Sequence, residues 1–280
     1  MSWLRDDNLL PHERIVYRSS VVAVGRFRCG AGSRWFRDSG PIANHVFVFP
    51  RLHVRLSYSR GPTFIASPNV VTLYNRGQEY SRAAMDRRGD DCDWFAVAPD
   101  VLAGAVGGGG DPGRPFSRHS VFASAGAYAR ARSLVRAATE NRHSSIDEDA
   151  LALLDEILPA MRGTPARSRQ TMDRVEAARD LLRRDLDRPL RIRNVAERTG
   201  TSVFHLCRIF REATGYSLHA YRQQLRLRAS LEKIRRSDDL LETAVSLGFN
   251  SHSHFTAAFR KAFGVTPSVW RYGQRPGMTP

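Results

Sequence analysis

Residues 196–222, AERTGTSVFHLCRIFREATGYSLHAYR, and residues 244–271, AVSLGFNSHSHFTAAFRKAFGVTPSVWR, carry one pattern twice. Ala196 aligns with Ala244 and Gly200 with Gly248 at an offset of 48. One extra turn residue in the second copy then makes the offset 49, pairing Ser202 with Ser251, Leu206 with Phe255, Phe210 with Phe259, Arg211 with Arg260, Gly215 with Gly264 and Arg222 with Arg271. In each copy a short helix runs to a glycine, which tolerates the left-handed backbone of a helix end, and a second helix starts at a serine, which accepts a hydrogen bond from a free amide. The pattern predicts two helix–turn–helix units.

The faces of the two second helices divide cleanly. Leu206, Ile209, Phe210 and Ala213 form a core stripe, matched by Phe255, Ala258, Phe259 and Ala262. Phe204, Cys207, Arg208 and Arg211 lie on the opposite stripe of the first unit, and Ser253, Thr256, Ala257 and Arg260 on that of the second; each set follows helical i, i+3, i+4, i+7 spacing. Such a face suits a major groove: Arg208 can pair with a guanine edge, Thr256 can bond a base or touch a thymine methyl, and Phe204 and Ala257 offer apolar contact. His252, in the first turn of its helix, can reach a base edge or a phosphate. The same positions also suit plain solvated faces of packed helices. Arg211, Arg222, Arg260 and Arg271 are expected at phosphates or helix ends, or as surface charge, and Ser202 and Ser251 at the caps.

Charge agrees with a polyanionic partner. The chain of 280 residues carries a net charge of +15, and of its basic side chains only Lys233 and Lys261 are lysines. Residues 172–280 hold 20 basic and 11 acidic side chains, against 23 and 17 in residues 1–171, so basic density is higher in the repeat. Arginine bias in itself also follows from GC-rich coding. Between the units, residues 218–236 read as one helix of 19 residues, roughly 28 Å long at about 1.5 Å per residue. One DNA turn is about 34 Å, so one chain is expected to read two successive major-groove segments, with bending or a favourable groove shape.

These residues closely resemble the C-terminal DNA-binding domain of AraC/XylS-type transcription regulators. The match runs through RPLRIRNVAERTGTS, LCRIFREATGYSLHAYRQQLRLRAS and the second copy, and is most specific over Gly248-Phe249, Phe255, Phe259, Phe263-Gly264-Val265-Thr266-Pro267 and Arg271. The resemblance implies a seven-helix domain with base contacts from Phe204, Cys207 and Arg208 in the first unit. In the second it places them on His252, Ser253, Thr256 and Ala257. Cys207, His254 and Ala257 depart from the more usual choices, which bears on the target sequence rather than on the mode of binding.

The N-terminal half reads differently. VVAVGRF (21–27), HVFVF (45–49), LHVRLSY (52–58) and VVTLY (70–74) are short strands punctuated by Gly-Pro and Ser-Pro-Asn turns. GGGGDPGRP (107–115) is a loop; residues 121–140 and the segment from Ser145 follow a helical period. The resulting expectation is an α+β chain: residues 1–161 a cupin-like β-barrel sensor with a helical dimerisation segment, 162–171 a linker, and 172–280 the all-α DNA-binding domain. Trp35, Phe47, Phe49, Tyr74 and Trp94 line an effector pocket in the barrel or simply fill its core. Leu151, Leu154 and Leu158 form a homodimer seam or pack on the barrel.

Enzyme classes find little support. The one His-x-His pair, His252 and His254, lies on a recognition helix, and His45, His53, Cys29 and Cys92 have no ligand spacing, so neither metal nor cofactor is expected. Three separated cysteines, the lack of a membrane-length apolar run and an N-terminus without a signal-peptide core lead to the expectation of a cytoplasmic protein. A fused cupin enzyme, a thiol methyl-acceptor repair protein and a thiol sensor using Cys29 or Cys92 are the rival readings. The leading expectation is an activator that binds promoter DNA, contacts RNA polymerase and responds to a small-molecule effector.

Overall fold

The computed structural model describes residues 4, 12–33, 36, 38–39, 41–59, 61–106, 111, 113–142, 145–162, 168–234 and 239–272. The chain divides into two compact units, Met1–Pro165 and Ala166–Pro280.

The first unit is built on two antiparallel sheets. Strands β1 (Glu13–Arg18), β2 (Val22–Cys29), β9 (Asp90–Val97), β4 (Val46–Pro50), β7 (Val70–Tyr74) and β10 (Ser120–Phe122) form the larger sheet, in that order. The smaller runs β3 (Asp38–Ser39), β8 (Tyr80–Ala84), β5 (Val54–Tyr58) and β6 (Thr63–Ala66). No ladder joins the two among the described residues, so the expected barrel is an open, cupin-like pair of sheets. Their facing sides bury Phe27, Val48, Leu56, Tyr58, Phe64, Tyr74, Cys92 and Trp94 in one core. Gly25, opposite Trp94 across β2 and β9, leaves room for the indole: a Cβ there would stand 2.1 Å from its Cζ2. Replacing Gly25 with alanine is therefore expected to cost about 1–3 kcal/mol by overpacking. A chemical-denaturation midpoint no lower than that of the parent would contradict that fit.

Strand β4 and the second half of β9 are apolar on both sides, and their alternation decides what each side chain meets. Phe47 and Phe49 point away from the smaller sheet. Phe47 stacks on Phe95 at 5.1 Å, and Phe49 meets Tyr128 at 6.5 Å. Tyr128 belongs to α2 (Ala125–Thr139), which covers the outer face of the larger sheet; α1 (Pro99–Val106) follows β9. Phe47 and Phe49 are thus not pocket residues: strand parity places them in the sheet–helix layer. Tyr74 and Trp94 do lie between the sheets, and Trp35 lies outside the described residues.

Residues 120–122 pair with β7 rather than opening a helix, and α2 begins only after Ser124, whose hydroxyl caps it by accepting from the Ala127 amide. In α3 (Ile146–Arg162), which packs on α2 and β10, Leu154 and Leu158 are buried inside this unit. The seam expected of them is corrected accordingly, because an apolar side chain already buried by its own sheet and helix offers no surface to a second chain. Leu151 is half-buried.

Helix α2 is pinned to the sheet by charge. Asp93, fully buried, accepts from Arg51 Nε at 3.0 Å and Nη2 at 2.8 Å, and from Arg132 Nη1 of α2 at 2.8 Å. Burial pushes its carboxyl up, and with Arg51 and Arg26 pulling the other way it settles at about 6. Cys29 and Cys92 are buried, and burial together with the adjacent Asp90 pushes the Cys92 thiol up, opposite to what a reactive thiol needs.

The second unit is helical: α4 (Arg169–Leu182), α5 (Ile192–Arg198), α6 (Val203–Thr214), α7 (Leu218–Lys233), α8 (Leu240–Ser246), α9 (His252–Phe263) and α10 (Pro267–Tyr272). Helix α7 is capped at Ile234 and is about 24 Å long for its 16 residues; residues 235–236 of the expected 218–236 helix lie outside the described residues. Among the described residues no helix is long and apolar enough to cross a membrane, and no three His, Cys, Asp or Glu side chains gather as metal ligands.

Candidate nucleic-acid interface

Each unit of the repeat is built by the same local devices. Gly200 and Gly248 turn the chain at φ 64° and 78°. Ser202 then accepts from the His205 amide at 3.2 Å to start α6, and Ser251 from the His254 amide at 3.1 Å to start α9. Gly215 and Gly264, at φ 76° and 77°, close these helices, their amides donating to the carbonyls of Arg211 and Arg260 at 2.8 Å. Helices α6 and α9 are therefore fixed at both ends by residues related by the 49-residue offset.

Burial separates the two faces as expected. Leu206, Ile209, Phe210, Phe255 and Phe259 are buried, whereas Phe204 is 79% exposed. Arg208, Arg211, His252, Ser253, Ala257 and Arg260 are exposed, and Cys207 and Thr256 half-buried. The Thr256 hydroxyl has no hydrogen-bond partner within the described chain. His252, Ser253, Thr256, Ala257 and Arg260 line one open hollow, joined by Lys261 and Thr266, which the sequence reading had not selected.

Arg208 has two further neighbours that the sequence reading passed over. Its Nη2 lies 3.3 Å from His205 Nδ1, and its Nη1 lies 3.8 Å from the Glu212 carboxylate. The i−3 and i+4 spacings were the available signal. Both neighbours sit along α6 and flank the guanidinium on its exposed face.

The paired arginines 222 and 271 act elsewhere. Arg222 is buried and donates from Nη2 to the Asp185 carbonyl just beyond α4; Arg271 donates from Nε to the Ile234 carbonyl just beyond α7 at 3.1 Å. Asp185 and Ile234 are themselves 49 residues apart, so the duplication includes this bond. Both arginines satisfy carbonyls at the ends of the supporting helices. Of the two expected roles, Arg222 takes the helix end and not the phosphate, because burial removes it from the surface.

Two helix–turn–helix units in one helical body, each presenting a capped helix with an exposed polar face, define a double helix–turn–helix DNA-binding module. A family described as a helix-turn-helix domain matches residues 195–272. The Multiple antibiotic resistance protein MarA of Escherichia coli (strain K12) is 32% identical over 99 residues, 35% of this chain and 78% of MarA. The Right origin-binding protein of the same strain is 38% identical over 104 residues, and the match spans 36% of each chain, so only about a third of that relative's length is shared. Wild-type ToxT from Vibrio cholerae strain SCE256, solved with an unsaturated fatty acid bound, aligns over 94% of this chain and 99% of its own at 12% identity and a TM-score of 0.38. The chain belongs to the AraC/XylS-type transcriptional regulators.

Proposed function

We propose that the protein is a sequence-specific activator that binds promoter DNA through α6 and α9 in successive major-groove segments and contacts RNA polymerase. The observation that carries this reading is the pair of serine-capped helices whose exposed faces differ. Phe204 and Arg208 stand on α6, and His252, Ser253, Thr256 and Ala257 on α9. Cys207 contributes at the edge of the first face; Arg211 and Arg260 reach phosphates. The site read by one chain is asymmetric.

The helical unit that opens with α4 forms the reader, the segment between α3 and α4 the linker, and 1–161 the sensor and homodimerisation region of a cytoplasmic regulator; the linker is narrower than the expected 162–171 because α3 runs to Arg162 and α4 opens at Arg169. A small-molecule effector binds between the two sheets. The support is the Trp94 indole NH, buried in that core without a hydrogen-bond partner among the described residues. Buried polar groups of this kind are rare enough to need a reason, and a polar ligand supplies one.

Selection of bound sequences from random double-stranded DNA, with and without added small molecules, tests the reading. The expected outcome is one enriched two-part, non-palindromic site. Enrichment of nothing, or of sites that hold only a single recognition segment per chain, would reject it.

A further inference from the structure

The two turn glycines are not equivalent. Gly200 and Gly248 share the left-handed backbone, but a Cβ on Gly200 would meet nothing within 4 Å. On Gly248 it would stand 2.7 Å from the Asp187 carbonyl oxygen and 2.8 Å from that of Leu186. Those carbonyls belong to the loop between α4 and α5, part of the first helix–turn–helix module. The turn of the second module is therefore seated against the backbone of the first.

That loop is itself clamped to α7. Arg226 donates from Nε to the Leu186 carbonyl at 2.7 Å and from Nη2 to the Arg188 carbonyl at 3.2 Å, one helical turn from Arg222 and its bond to Asp185. Charged donors make these bonds stronger than neutral ones. Arg179 of α4 adds a bond from Nε to the Tyr221 hydroxyl of α7 at 3.0 Å. A connecting helix fixed only at its two ends leaves the modules free to swing; a loop wedged between helix and turn does not.

We infer that the 185–188 loop, held by Arg226 and seated on Gly248, is a spacing gauge that fixes the separation of the two recognition helices. The inference rests on the proposal that both helices read DNA. One inserted base pair moves the second segment by about 3.4 Å along the duplex, more than the whole length of a hydrogen bond. A rigid reader loses its second set of contacts at that step; a loosened one follows the DNA.

The test uses the full chain and duplexes whose two segments, taken from the selected site, are separated by the native spacer, by one base pair fewer and by one or two more. For the parent protein a one-base-pair change is expected to weaken binding at least about tenfold, the scale of one lost base contact. Arg226→Ala should flatten that profile to about threefold or less. Gly248→Ala should shift or flatten it, while Gly200→Ala, equally strained in φ but facing open space, should keep the parental preference. An unchanged profile in both Arg226→Ala and Gly248→Ala overturns the gauge. So does an equal loss at every spacing in all three variants. A duplex with the second segment scrambled separates the two ideas: if the parent binds it as tightly as the native site, the two-helix reading has failed, and the gauge with it.

Discussion

Arg208→Ala is expected to remove guanine preference at one base pair of the first segment, lowering discrimination there roughly 5- to 150-fold, the range for a good bidentate contact. The guanidinium is available for that exchange. Its ion pair with Glu212 is long, at 3.8 Å, and both side chains are about half exposed, so the pair contributes at most about 1 kcal/mol. A guanine edge offers about 1–3 kcal/mol, enough to draw the side chain from Glu212. Binding of the parent and the variant to the four sequences at that position, across a series of salt concentrations, checks this. A base contact alters the sequence ranking and leaves the salt slope nearly unchanged. Uniform loss with a slope smaller by about 1 would make Arg208 a phosphate contact instead.

Phe259→Ala is expected to have the largest effect on folding, about 3–5 kcal/mol for a fully buried aromatic. Phe259 is 0% exposed and lies 5.6 Å from Phe255, 4.6 Å from Phe263 and 6.4 Å from Trp270. This aromatic group joins α9 to α10, and removing the ring leaves a cavity among Phe255, Phe263 and Trp270. Domains have only about 5–15 kcal/mol in hand, so α9 should lose its fixed orientation before the rest of the helical unit melts. The measurement is twofold: chemical denaturation, and footprinting of the selected site. Protection should vanish from the second segment and persist on the first. The reverse, or an unchanged denaturation midpoint, would show that α9 is not held by this cluster.

The DNA-binding half was the more legible in sequence because its determinants are local. Helix stripes, caps at Ser202 and Ser251 and left-handed glycines act within a few residues, so spacing alone places them. The N-terminal half was legible only as strands, since a strand shows which residues share a face but not what covers each face. Phe47 and Phe49 looked like pocket residues for that reason, and Leu154 and Leu158 like a seam. Each assignment depended on neighbours far away in the chain, Phe95 and Tyr128 for the phenylalanines and the α2 and β10 surfaces for the leucines.

The repeat also divides along this line. The sequence by itself determined that two helix–turn–helix units exist, which faces they bury and which residues they leave exposed, because helical period and capping chemistry are properties of short segments. Only the tertiary structure decided that Arg222 and Arg271 bind helix-end carbonyls, that His205 and Glu212 flank Arg208, and that Gly248 meets the first module while Gly200 meets nothing. Two residues with the same place in a repeat have the same local backbone. What surrounds them depends on which long-range partners the packing brings, and the second unit has the first beside it.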